Sequence, residues 1–213
     1  MAVIKTQWQP SFTHADVQIL DEQVVGQHFH TLKDLHIRHR SFSGADLNIQ
    51  RDLLQRQDAV AVLLYDAILD AVVLVEQFRV GALGHPTSAW LLEVVAGLCD
   101  CEGSPEEVAR REVQEEAGLE VKRLQHLYRY APSPGAVAEY IDLYLGEVDA
   151  REAGGVHGLA SECEDIKVHL LDATSAIEML ASGQIDSSPA IIALQWLALN
   201  RAELQQLRLR EGG

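Results

Sequence analysis

At 213 residues and 47% hydrophobic, the chain can bury a full core in one or two domains, and no apolar run is long enough to cross a membrane. A net charge of -15 argues against a nucleic-acid partner, since phosphate backbones are held mainly by lysine and arginine. A small anionic ligand would need metal ions and a few placed arginines.

In chain order, residues 16–20, 22–25 and 29–40 read as strands of an antiparallel sheet, followed by a turn at Phe42 to Asp46 and another short strand. This region, residues 1–50, has too little apolar sequence to form a core alone. Residues 59–65 and 71–77 are β-rich apolar runs and the predicted central strands, and residues 90–96 lead into a glycine-containing loop. A helix is expected from Ser104, a good N-cap, through Pro105 at the first helical position and Glu107, which completes a Ser-x-x-Glu capping box, to Gly118 at the left-handed end position. Residues 140–148 read as a strand. Residues 149–164 are polar, carry Gly154, Gly155 and Gly158, and are expected to be a mobile loop. Residues 166–171 form a strand, Asp172 caps a helix ending before Gly183, and Ser188-Pro189 opens a long helix with Ile191, Leu194 and Leu197. Helices flanking mixed strands imply an α/β sandwich.

The start MAVIKTQWQPSF lacks the charged and apolar regions of a signal peptide, so a cytoplasmic address is expected. Cys99, Cys101 and Cys163 are an odd count in no zinc-like spacing and are read as reduced thiols.

The chemistry concentrates in the helix after Ser104. Glu112, Glu115 and Glu116 stand at i, i+3 and i+4, so their carboxylates share one face and repel unless a cation lies between them. Arg111, four residues before Glu115, is expected to pair with that acid and leave Glu112 and Glu116 as oxygen ligands for a hard cation such as Mg2+ or Mn2+. A solvated acidic face explains this spacing poorly.

With Gly97, Arg111, Glu112, Val113, Glu115, Glu116, Gly118 and Leu119 in place, the segment closely resembles the signature of the Nudix hydrolases. One position departs: Gly103 stands where the signature has glutamate, with Glu102 just before it. We read that as a change in loop shape that leaves the Arg-Glu-x-x-Glu-Glu core intact. The resemblance implies a Nudix-type α/β/α sandwich with a mixed sheet over residues 51–213, with residues 1–50 as an antiparallel β-sheet extension used for dimerisation. Pro134, sixteen residues after Gly118, matches the ADP-ribose pyrophosphatase branch, as do WLLEVVAGL, HGLASECEDIKVH and IIALQWL.

By that resemblance the metal ligands are the main chain of Ala96 together with Glu112, Glu116 and Glu164. The general base is Glu162, with Glu115 its rival because it serves in other Nudix enzymes. Arg79 matches a substrate-binding arginine. Arg51, Arg56, His28 and Phe29 match positions that reach the partner subunit's substrate. The main chain of Leu98, with Ser133, Pro134, Gly135 and Glu139, completes the implied pocket. The implied activity is magnesium-dependent hydrolysis of ADP-ribose to AMP and ribose 5-phosphate by a homodimer. Another nucleoside diphosphate sugar, such as GDP-mannose, is the alternative substrate. A catalytically inactive ligand sensor is the reading of a different class, kept open by Gly103.

Overall fold

The computed structural model describes residues 7–99 and 103–211, the side chains of 208–211 excepted; Cys101 and Glu102 lie outside the described residues. In chain order these form β1 (Val17–Gln27), β2 (Thr31–Arg40), β3 (Asp46–Gln55), β4 (Ala59–Asp66), β5 (Ala71–Phe78), β6 (Trp90–Glu93) and β7 (Val95–Leu98). Then come α1 (Pro105–Ala117), β8 (Arg123–Tyr130), β9 (Val137–Ala138), β10 (Ile141–Glu147), β11 (Val156–His157), β12 (Ile166–Asp172), α2 (Ala173–Ser182) and α3 (Ser188–Glu211). The chain divides into two compact units, residues 1–56 with 133–139, and residues 57–132 with 140–213.

The first unit is one sheet in the order β1-β2-β3-β9, antiparallel except for the β3–β9 pair. Residues 16–20 and 22–25, expected as separate strands, are one strand. Register shifts between Ile19 and Asp21 and between Val24 and Gly26 absorb the extra residues that break the alternation. β3 is longer than the short strand expected, and pairs with β2 from Asp46↔Arg40 to Gln55↔Thr31.

The second unit is a mixed sheet in the order β11-β12-β5-β4-β10-β8, with β6 beside β5 and β7 beside β4. β4 and β10 run parallel. Alternate residues of β4 enter two cores: Ala61, Leu63 and Tyr65 pack with Ala190, Leu194 and Leu197 of α3, whereas Val60, Val62 and Leu64 pack with Val108, Ala109 and Val113 of α1. Burial on both faces is why β4 reads as an unbroken apolar run, and the result is an α/β/α sandwich. α3 is tied to the β4–β5 turn through Asp70, which accepts from Tyr65 Oη at 2.8 Å and Arg201 Nε at 2.7 Å. β8 went unread in the sequence. Its register with β10 shifts between Leu143 and Tyr144, and its few apolar contacts are divided between the two cores, Leu124 on the α1 side and Leu127 on the α3 side, so no single apolar face marks the strand.

Candidate active site

The site is built where α1 lies across β7. The capping box forms as expected: Ser104 Oγ accepts from Glu107 N at 3.3 Å, and Ser104 N donates to Glu107 Oε2 at 2.7 Å. The helix closes on Gly118 with φ 65°. Between these ends, the Glu112 side chain lies directly over the backbone of Gly97. A Cβ on Gly97 would stand 2.0 Å from Glu112 Cδ and 2.3 Å from its Oε1, so only glycine lets this carboxylate settle there. One turn later Glu116 Oε2 accepts from Ala96 N at 3.1 Å. Glu112 is 9% exposed and Glu116 only 2%.

Buried against β7, the Glu116 carboxylate is costly to ionise. Burial pushes the Glu116 carboxyl up to about 8, and repulsion from Glu112 and Glu164 adds to the rise, while the Ala96 N–H and the positive charge of Arg79 oppose it.

Arg111 holds more than expected. It reaches Glu115 Oε2 at 3.0 Å and also Glu112 Oε1 at 2.7 Å, so its guanidinium bridges both acids instead of leaving Glu112 to a cation alone. Arg79 follows β5 and its Nε donates to Glu93 Oε2 at 2.6 Å. Glu93 was not singled out from sequence; the available signal was a lone acid inside the apolar run WLLEVVAGL. Leu98 ends β7, opposite Ala59 of β4.

The segment 149–164, expected as a mobile loop, is stitched down. Ala150 N donates to buried Asp66 at 2.9 Å, Val168 N to Gly155 O at 3.0 Å, and β11 pairs with β12. Gly158 N donates to Glu115 O at 3.1 Å, satisfying one of the carbonyls that a helix C-terminus leaves unpaired. Gly158, with φ 100°, leaves the room that Glu164 fills, since a Cβ there would lie 2.7 Å from Glu164 Cβ. Glu164 Oε2 accepts from Leu159 N at 3.2 Å. Glu162 is exposed in the 3-10 turn Ala160–Glu162, which ends at Cys163 with φ 57°. Cys163 is an exposed thiol and Cys99 a half-buried one.

The remaining sequence-predicted residues belong to the first unit. Arg56 Nη1 pairs at 3.1 Å with Glu139 Oε2, whose side chain is 5% exposed. Ser133 O accepts from Ala136 N and Val137 N at 3.2 and 3.0 Å, forming the turn that carries Pro134 and Gly135 into β9. Because Gln55 pairs with both Thr31 and Ala138, Arg56, Glu139 and the β1–β2 hairpin tip with His28 and Phe29 share one end of the sheet, while the turn enters β9 beside Leu54, whose N donates to Ala136 O at 2.8 Å. Phe29 is 80% exposed and meets only the edge of His30 at 4.8 Å among the described aromatic contacts. Arg51 lies nearer the middle of β3, opposite Leu35, with its Nη1 on Gln50 O.

Among the described residues no three acidic, histidine or cysteine side chains already converge as a ligand cluster. Glu112, Glu116 and Glu164 are each engaged by a protein donor. The donor set nonetheless fits a hard divalent cation: its atoms are oxygens, and a buried acid pair destabilised by its own repulsion is relieved by positive charge. No helix among the described residues is long and apolar enough to cross a membrane.

A model of the NUDIX domain matches residues 55–211. The chain is 46% identical over 199 residues to an ADP-ribose pyrophosphatase of Haemophilus influenzae, covering 92% of each. It is 40% identical over 196 residues to an ADP-ribose pyrophosphatase of Escherichia coli K12, covering 92% of this chain and 94% of that one. A GDP-mannose pyrophosphatase of Enterobacter sp. is 30% identical over 187 residues, covering 86% and 96%. A crystal structure described as an ADP compounds hydrolase superposes with a TM-score of 0.64 at 18% identity, over 89% of this chain and 97% of that one, a likeness of fold.

Proposed function

The chain belongs to the Nudix family, and from that premise we propose that it is a hydrolase that splits the diphosphate of ADP-ribose into AMP and ribose 5-phosphate with Mg2+ as cofactor. The observation that carries the reading is 46% identity across 92% of both chains to an ADP-ribose pyrophosphatase, a span that includes both structural units. GDP-mannose stands as the alternative substrate, supported by the 30% identical relative. The sensor reading gives way to an enzyme. Gly103 has φ 154°, a conformation favouring glycine, and Glu112 and Glu116 are in place without a glutamate there.

In the proposed reaction, water attacks one phosphorus, the bridging P–O bond breaks, and the departing phosphate carries the bond's electron pair. Ala96 O, Glu112, Glu116 and Glu164 would hold the cation, which when bound supplies positive charge against the phosphoryl oxygens. Glu162 takes the proton of the attacking water; its exposure at the end of a 3-10 turn supports this, because it can meet a substrate without first leaving a buried pair. Arg79 contributes a guanidinium to a phosphate, which requires it to turn from Glu93 or to share its donors. Arg51, Arg56, His28 and Phe29 act on substrate across a homodimer. Ser133, Pro134, Gly135 and Glu139 of the first unit, and the main chain of Leu98 in the second, are the remaining positions assigned to substrate binding. Supporting the dimer, one face of the first sheet carries Val17, Ile19, Val24 and Leu47 exposed. The exposed Cys163 thiol supports a cytoplasmic address.

Glutamine at each candidate base tests the assignment. Glu162→Gln is expected to lower kcat on ADP-ribose by about 100-fold or more, in the range of general-base loss. Near-normal turnover in Glu162→Gln with loss in Glu115→Gln would transfer the role to Glu115.

A further inference from the structure

The family reading gives no task to His157, yet the ring of this residue sits at the joint between the two acid-bearing segments. Its Cε1 lies 2.6 Å, and its Nδ1 3.1 Å, from the place where a Cβ on Gly118 would be. Its Nε2–H donates to Gly154 O at 2.8 Å. Its backbone is held in β11 opposite Ile166, a fully buried residue of the α1-side core. The next residue, Gly158, bonds to Glu115 O and makes room for Glu164. The ring is therefore a flat wedge, its backbone held by β12, its Nε2 tied to Gly154 O and its edge pressed against the glycine that ends the signature helix.

This contact also adds a second demand on Gly118. Its φ of 65° favours glycine, though asparagine tolerates that region; the imidazole in the side-chain space excludes asparagine as well.

We propose that His157 is a positioning residue that docks the loop bearing Glu162 and Glu164 onto the end of the helix bearing Glu112 and Glu116. It sets the separation between the two halves of the ligand set without touching substrate. The inference rests on the proposed roles of Glu162 and Glu164. Removing the ring leaves a slot beside Gly118 and frees the Gly154 carbonyl, so the loop loses its registration while β11 and β12 keep their pairing.

The test is Mn2+ titration of wild type, His157→Ala and His157→Gln by electron paramagnetic resonance without substrate, beside steady-state kinetics on ADP-ribose at varied Mg2+. In His157→Ala, Mn2+ affinity and kcat are each expected to fall about 10-fold, the loss typical of residues that orient ligands, with KM almost unchanged. His157→Gln, with a flat amide and an N–H donor, is expected to recover most of both. Wild-type Mn2+ affinity and kcat in His157→Ala, a loss carried wholly by KM, or no recovery in His157→Gln would each overturn the proposal. If His157→Ala does not fold, His157→Phe decides: it fills the slot without the donor, so reduced Mn2+ affinity is required and wild-type affinity overturns the idea. A wild-type protein inactive on ADP-ribose would fail the functional reading alone, because the Mn2+ titration reports on His157 without it.

Discussion

At Gly97 the absent side chain is the feature on which the acid pair depends. Gly97→Ala would drive a methyl into Glu112, 2.0 Å from its Cδ, and the carboxylate must move off β7. The expected result is a folded protein whose Mn2+ affinity falls at least about 10-fold, read by titration with the metal alone; unchanged affinity would remove Glu112 from the ligand set. Glu116 yields a pH dependence of opposite sign to the usual carboxylate. Its folded pKa of about 8 exceeds the ordinary 4.5, so between these values the folded state binds more protons than the unfolded state. Its contribution to stability is fully present below about pH 4.5 and is lost as pH rises toward 8. In metal chelator, thermal melts of the wild type should therefore weaken from pH 5 to pH 8 more than those of Glu116→Gln, with a difference on the order of 3 kcal/mol. Parallel curves would contradict the buried-acid account. The acids themselves were legible at this scale, because i, i+3, i+4 spacing is a local property. The burial of Glu112 and Glu116 and the second partner of Arg111 were not, since they depend on a strand packed under the helix.

At the scale of elements, the signature helix was readable end to end because caps are encoded within a few residues: Ser104, Pro105, Glu107 and Gly118 all take the expected places. Ser104→Ala removes both bonds of the hydroxyl, from Glu107 N and to Glu107 Oε2, and is expected to cost about 1 kcal/mol, a fall of roughly 2–4 °C in melting temperature for a chain of this size. A melt unchanged by that substitution would show the helix end to be held by packing alone. The elements that resisted reading are those set by distant partners. β8 owes its position to an irregular pairing with β10, and the segment 149–164 owes its order to Asp66 and Glu115, which lie far away in sequence, and to the pairing of β11 with β12. Polar, glycine-rich composition describes that segment well and still misses the bonds that hold it.

For the whole molecule, the sandwich follows from strands such as β4 that are apolar on both faces and therefore need helices on each side. Residues 1–50 lacked the means for a core of their own, and the exposed apolar residues on the first sheet fit a surface covered by a second copy. Size-exclusion chromatography with light scattering should give twice the 23.5 kDa chain mass, and Ile19→Asp, on that face, should shift the protein toward monomer with loss of activity. A monomeric wild type would withdraw the dimer. The most direct test of the account as a whole is to incubate the purified protein with ADP-ribose, GDP-mannose, ADP-glucose and NADH, with Mg2+ or with chelator, and separate the products. The account requires AMP and ribose 5-phosphate to form fastest from ADP-ribose with Mg2+ and to vanish with chelator. Faster cleavage of another member of the panel, or turnover indifferent to chelator, would contradict it.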